Sequence, residues 1–232
     1  MSASHAVDRS ISIVARNDEA PVVLIVDDDV SVRESLALLL HSTAWRVDVY
    51  SSAQAFLARS APRGPACLVL DVSLPDLNGL ELQERLGNEH GVLPIIFISG
   101  YADIPMSVRA MKAGAAEFLT KPINADTILA AIEKAIEQSR AALTKRTELQ
   151  TLRNCYSRLT PREREVMASV VSGRLNKQIA RELGISQITV KAHRGKVMRK
   201  MNARSLAALV KMSEQLAQAT LRHREEEVTA MA

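Results

Sequence analysis

Val22-Val23-Leu24-Ile25-Val26-Asp27-Asp28-Asp29 decides how this chain folds. The five apolar residues, mostly β-branched, suffice for a strand buried on both faces, and the run stops abruptly at three carboxylates. Carboxylates at the carboxyl end of a parallel strand lie where open α/β sheets form their ligand crevice. An acidic turn after a strand is also a common helix N-cap cluster, so the reading depends on what other strands bring to that edge.

Four more runs behave the same way. Residues 46–50 alternate, 67–70 end in Asp71, 94–98 end in Ser99-Gly100, and 116–119 end in Thr120-Lys121-Pro122. Helical spacing fills the intervals: Val32, Leu36, Leu39 and Leu40 in 30–41, a Ser51-Ser52 cap leading to Leu57, and Leu80, Leu82 and Leu86 after the turn at 75–79. A helix over 104–113 closes at Gly114, and another starts near Ala125. Five strands alternating with helices predict an α/β fold, a doubly wound five-stranded parallel sheet. Right-handed crossovers point all the strand ends one way.

Asp27, Asp28, Asp29, Asp71, Ser99 and Lys121 then converge on one edge. Gathered carboxylates repel unless a cation intervenes, and hard oxygen ligands with an open face suit Mg²⁺. A lysine and a hydroxyl facing that cation can stabilise a transferring phosphoryl group, and a carboxylate such as Asp71 can accept it. Asp29 is the most dispensable of the three and reads equally as a cap.

Net charge is +4 across 232 residues, but residues 151–224 carry 16 Lys/Arg against 4 Asp/Glu, leaving 14 against 22 elsewhere. That split predicts an acidic module joined to one that approaches a polyanion. No run approaches the roughly 18 apolar residues of a membrane span, and 1–20 has no signal-peptide core, which makes a cytoplasmic protein without membrane contact the expectation. Cys67 and Cys155 have no metal-ligand spacing.

The basic part is all helical in pattern. Thr160-Pro161-Arg162-Glu163 is a cap, a proline and an acidic first turn; Gly173 ends that helix, and Asn176 is read as capping a short one to Leu183. Gly184 turns the chain, Ser186 caps a helix over 187–201, and 205–212 form a last one. The second helix of this pair turns Val190, Val197 and Met201 inward and leaves Lys191, His193, Arg194, Lys196, Arg199 and Lys200 outward, which is helix-turn-helix patterning. The long helix after Ala125 carries Leu129, Ile132, Ile136 and Leu143, with Ser139 and Arg146 breaking the seam, so a core-facing helix running into a linker is favoured over a coiled coil.

The set Ile25-Val26-Asp27-Asp28-Asp29, Val69-Leu70-Asp71-Val72-Ser73-Leu74-Pro75-Asp76-Leu77-Asn78-Gly79, Ser99-Gly100 and Lys121-Pro122 resembles the receiver domain of two-component response regulators. Leu159-Thr160-Pro161-Arg162-Glu163-Arg164-Glu165-Val166, Asn176-Lys177-Gln178-Ile179-Ala180 and Ile185-Ser186-Gln187-Ile188-Thr189-Val190-Lys191-Ala192-His193 resemble the LuxR-type DNA-binding domain. Together they resemble the FixJ branch of the NarL/FixJ regulators. The resemblance implies that a sensor histidine kinase phosphorylates Asp71. It implies that Asp28, Asp71 and the Ser73 carbonyl bind Mg²⁺, with Asp27 acting through water. Ser99 is then the switch hydroxyl, Phe118 the rotating aromatic and Lys121 the phosphate-pairing cation.

Phosphorylation would create a homodimer through a face containing Val108 and Lys112, where Arg109 replaces a frequent acid. The dimer would bind double-stranded promoter DNA in the major groove, with RNA polymerase as a further partner. Asn176, Lys177, Gln178, Thr189, Lys191, Ala192, Arg194, Gly195, Lys196 and Arg199 are the expected DNA-binding residues, His193 being packed or phosphate-directed. Ile188 departs from the short polar residues frequent at its position, and Ser73 and Tyr101 flank the phosphorylation site.

The expected organisation is a flexible tail at 1–20, a receiver at 21–138, a helical linker at 139–157, an all-α helix-turn-helix domain at 158–220 and a tail at 221–232. Two alternatives stay open at this point: an aspartyl-nucleophile phosphatase, disfavoured by Ser73 where an acid is needed, and a DNA-binding protein that ignores phosphate.

Overall fold

The computed structural model describes residues 20–87, 92–100 and 104–230, with side chains described through Leu221. The tail expected at 1–20 therefore lies almost wholly outside the described residues, as does Tyr101. Two compact units divide within a long helix, at Thr144 and Lys145.

The first unit contains β1 (Val22–Val26), α1 (Val30–Leu40), β2 (Arg46–Tyr50), α2 (Ala53–Leu57), β3 (Ala66–Asp71), α3 (Gly79–Leu86), β4 (Ile95–Ser99), α4 (Ile104–Lys112), β5 (Glu117–Thr120) and the start of α5 (Ala125–Ser157). All neighbouring strands pair in parallel, in the order β2-β1-β3-β4-β5. The doubly wound sheet read from the strand runs is thus present. Because side chains alternate across a strand, the continuous apolar runs split into two cores. Leu24, Val26, Leu68, Leu70 and Phe97 pack on one face with Phe56, Leu82 and Ala110, from α2, α3 and α4. Val23, Ile25, Val69, Ile96 and Ile98 pack on the other with Leu36 and Leu40 of α1 and Ile128, Ile132 and Ile136 of α5.

Ser139, which interrupts the apolar seam of α5, is fully buried. Its hydroxyl donates to the Val92 carbonyl and accepts from the Ala66 amide at 3.0 Å, so it ties α5 to the chain entering β3 and β4. The interruption is a satisfied buried group instead of a gap in a coiled-coil seam.

The second unit holds the rest of α5, then α6 (Pro161–Val171), α7 (Asn176–Leu183), α8 (Gln187–Lys200) and α9 (Leu206–Ala230). Its core joins Val166, Met167 and Val170 of α6, Ile179 of α7, Val190 and Val197 of α8, and Leu209 of α9. The last helix, read from the sequence as ending at Met212, continues to Ala230. No Gly or Pro follows Met212, and Glu, Gln, Leu, Ala and Arg are strong helix formers, so nothing in that stretch stops it. No helix among the described residues is long and apolar enough to cross a membrane.

Candidate functional site

Register builds the acidic pocket. Val26 pairs with Leu70, which carries the following residues, Asp27 and Asp71, to one edge of the sheet. Asp71 lies opposite Ile98, and Ser99 opposite Thr120, so the next strand end delivers Ser99 and Lys121 beside them. The Lys121 amide donates to the Ser99 carbonyl at 2.8 Å, and the Lys121–Pro122 peptide is cis.

The carboxylates of Asp27, Asp28 and Asp71 each present an oxygen within 4.8 Å of the others. Asp27 is completely buried, and both its oxygens are engaged: one accepts from the Asp29 amide at 2.9 Å, the other from the Lys121 ammonium at 2.7 Å. Lys121 also reaches Asp71 at 3.4 Å. Asp28 is exposed at the mouth. Asp29 points away as the N-cap of α1, accepting from the Ser31 amide, so it does not join the cluster.

Three carboxylates face one ammonium, so two negative charges are uncompensated. Burial pushes the Asp71 carboxyl above its usual range, and the Asp27 charge adds to this, while Lys121 and the Ser73 amide pull back. Burial opposes the charged form of Lys121, yet its hydrogen bond to Asp27 and the charges of Asp27 and Asp71 raise it above its ordinary value. The donor set, hard oxygens around an open face with a charge deficit of two, fits a small divalent cation.

Ser99 is buried beside the pocket, and Ser73 is exposed on the loop after Asp71. Phe118 is half-buried on β5 with its ring centroid 6.1 Å from that of Phe97. Val108 and Lys112 are exposed on α4, and Ile104 and Met111, within the 104–112 face expected from the sequence, are exposed beside them. Sequence reading missed three supports of the pocket. Arg33 donates to the Asp27 carbonyl at 2.7 Å. Asp76 accepts from the Ala53 and Gln54 amides, clipping the loop after Asp71 to the start of α2. Gly79 packs against the same loop so closely that a Cβ would sit 2.6 Å from the Asp71 carbonyl oxygen. The Asn78-Gly79 turn was the only sequence signal of that approach.

In the second unit, Ser186 caps α8 and Gly184 takes the left-handed conformation at φ 65° that the turn requires. Lys191, Ala192, Gly195, Lys196 and Arg199 are exposed on α8, as are Lys177 and Gln178 on α7. Thr189 is half-buried, and its hydroxyl meets that of Ser186 at 2.8 Å.

Two sequence readings shift here. Asn176 is the first residue of α7, not its cap; Leu175 holds the cap position, and its amide is satisfied by the Gln178 side chain at 2.7 Å. The Asn176 side chain instead accepts from Arg194 at 2.7 Å, which locks α7 to α8. Lys200, read as outward, turns back to the buried Glu163 at 2.6 Å and to the Arg158 carbonyl at 3.1 Å. Glu163 completes a capping box with Thr160. The Lys200 hydrogen bond, followed by the Thr160 amide, lowers the Glu163 carboxyl to about 2.

Residues 23–133 match the response regulator receiver domain, and residues 157–213 match the bacterial regulatory proteins of the luxR family. Nodulation protein W of Bradyrhizobium diazoefficiens is 46% identical over 195 residues, covering 84% of this chain and 86% of that protein. The chain belongs to the response regulators. This response regulator is also 44% identical over 191 residues to the transcriptional regulatory protein FixJ of Rhizobium meliloti, covering 82% of this chain and 94% of that protein. The solved structure of the response regulator StyR superposes with a TM-score of 0.76 at 45% identity, covering 84% of this chain and 99% of that one. The receiver and LuxR-type resemblance, and the FixJ-like branch, are borne out.

Proposed function

We propose that this response regulator is switched by phosphorylation of Asp71 and that its phosphorylated homodimer binds promoter DNA through α8. The observation that carries the reading is the convergence of Asp27, Asp28, Asp71 and Lys121 on one sheet edge with a charge deficit of two. Asp28, Asp71 and the Ser73 carbonyl would hold Mg²⁺, with Asp27 acting through water; when bound, the ion neutralises the carboxylates and the charge on an incoming phosphoryl group.

Asp71 attacks the phosphorus of a phosphohistidine on a sensor kinase. An Asp71 oxygen–phosphorus bond forms as the phosphorus–nitrogen bond breaks, and the electron pair returns to the imidazole with a proton. Lys121, anchored on Asp27, pairs with the phosphoryl oxygens. Ser99 supplies a hydroxyl to the same group, and Phe118 follows it toward the space Ser99 leaves. The switched surface is α4, where Ile104, Val108 and Met111 follow helical spacing beside Lys112; it forms the dimer face. Ser73, two residues beyond Asp71, offers no general acid, which supports a phosphate-holding switch over a turnover enzyme.

Asn176 and Lys177, with Gln178, lie at the start of α7 to meet phosphates, Arg194 being held by Asn176. Lys191, Lys196 and Arg199 supply charge along α8, and Thr189, Ala192 and Gly195 line its approach to the bases. Two such helices in a dimer read neighbouring half-sites, and recruitment or obstruction of RNA polymerase follows. The soluble receiver and nucleic-acid-binding unit fit a cytoplasmic protein. The domain limits proposed from the sequence, 21–138 and 158–220, place the phosphate switch and the DNA reader on either side of a helical linker at 139–157.

The test is labelling with a small phosphodonor. Wild-type protein should take up hydroxylamine-sensitive phosphate only with Mg²⁺ present and should shift to dimer in sedimentation. Labelling that persists in Asp71→Asn refutes the assignment.

A further inference from the structure

Ile188 is 80% exposed, and what distinguishes it is its place on α8. It is the second residue of α8, in the turn whose amides are capped by Ser186. The inward stripe of α8 is Val190, Val197 and Met201. At 3.6 residues per turn, Ile188, Ala192, Gly195 and Arg199 fall on the opposite side as one ridge, and all four are exposed. Lys191 and Lys196 lie on the two flanks of that ridge.

The composition of the ridge is informative. Its middle carries only a methyl group and a hydrogen, and a Cβ on Gly195 would meet nothing within 4 Å, so no packing inside the unit demands a glycine there. A low ridge between two lysine flanks suits a groove with phosphate walls and a floor of base edges: the flanks take the phosphates, and the low crest lets the helix backbone come close to the floor. The one bulky group at the amino end of that crest is a branched hydrocarbon. In the major groove, the only hydrocarbon on a base edge is the C5 methyl of thymine.

We infer that Ile188 is a specificity-determining residue of this regulator, reading a thymine methyl in each half-site through apolar contact. The inference rests on the DNA-binding reading of α8, and it names a base preference that the charges of that helix do not supply. Lys191 and Lys196 are neutralising groups, whereas Ile188 has no hydrogen-bonding capacity and discriminates only by fit to a methyl group.

The full-length protein, treated with acetyl phosphate and Mg²⁺, is used to select binding sites from a random duplex pool. Each thymine of the selected site is then replaced singly by deoxyuridine, which removes only the methyl. Wild type should lose roughly fourfold in affinity at one thymine per half-site, the factor expected for burying one methyl group. Ile188→Val should keep that loss. Ile188→Ser should bind the thymine and uracil duplexes equally, while its thermal transition stays unchanged because the side chain touches no core. Indifference of the wild type to every uracil replacement, or a methyl effect undiminished in Ile188→Ser, overturns the inference. A pool that yields no enriched sequence defeats the DNA-binding reading, and this inference with it.

Discussion

The pair Glu163–Lys200 joins the first turn of α6 to the last turn of α8, and breaking it has a calculable cost. The Glu163 side chain is 3% exposed and that of Lys200 35%, at a separation of 2.6 Å. The Glu163 carboxyl falls from 4.5 to about 2, with the Lys200 hydrogen bond as the leading cause and the Thr160 amide second. At about 1.4 kcal/mol per pKa unit this corresponds to roughly 3 kcal/mol for all causes together. Removing the Thr160 share, and allowing for solvent around a lysine a third exposed, leaves about 2 kcal/mol for the Lys200→Met substitution. In a unit of this size that lowers the melting temperature by about 10 °C.

The pH dependence has a definite sign. A carboxyl whose folded pKa lies below its unfolded value contributes fully above about 4.5 and loses that contribution as pH falls toward 2. Wild-type stability of α6 and α8 should therefore decline between pH 5 and 2, and Lys200→Met should show a shallower decline from a lower start. Urea unfolding read by hydrogen-exchange mass spectrometry separates peptides of α6 and α8 from those of the receiver. The double cycle with Glu163→Gln isolates the coupling. A coupling below about 0.5 kcal/mol, or the same loss at pH 7 and pH 3, would show that the two ends are held by packing alone.

Three other perturbations address separate parts of the molecule. Gly79→Ala places a methyl 2.6 Å from the Asp71 carbonyl oxygen, so strand end or helix start must move; about 2 kcal/mol of receiver stability and slower phosphate uptake are expected, and wild-type values in urea unfolding and labelling would contradict the contact. Leu175→Ser supplies the side-chain cap that α7 lacks and should raise the stability of the second unit by about 1 kcal/mol; a lower melting temperature would count against the assigned helix start. Mg²⁺ should raise the receiver melting temperature in wild type, by about 2.7 kcal/mol of stabilisation at a hundredfold excess over Kd, and Asp28→Asn should shrink that rise; an undiminished rise in the variant places the ion elsewhere.

Much of this molecule is written locally. Strand runs such as Val22–Val26 and Ala66–Asp71 are apolar throughout because both faces of a parallel strand are covered, and the caps at Ser52, Thr160 and Ser186 stand where their helices begin. The pocket residues were legible because they sit at strand ends, and parallel strands send their ends one way. Less legible were residues whose partners are remote in the chain. Ser139 looked like a break in a seam, yet its hydroxyl serves backbone groups of residues 66 and 92. Asn176 looked like a cap and Lys200 like another outward charge, and each is committed to a side chain on a neighbouring helix.

By itself, the order of residues determined the alternation of strand and helix, the two units, and which carboxylates, hydroxyl and ammonium could meet. Only the tertiary structure decided how their charges are matched: strand register gives Lys121 to Asp27 first and to Asp71 second, while Asp29 leaves the pocket to cap α1. It also decided which basic groups stay available on α8, because the buried Glu163 takes Lys200 and the half-buried Asn176 takes Arg194. Periodicity reports which face a residue occupies, but the partner across that face depends on packing that no local pattern encodes.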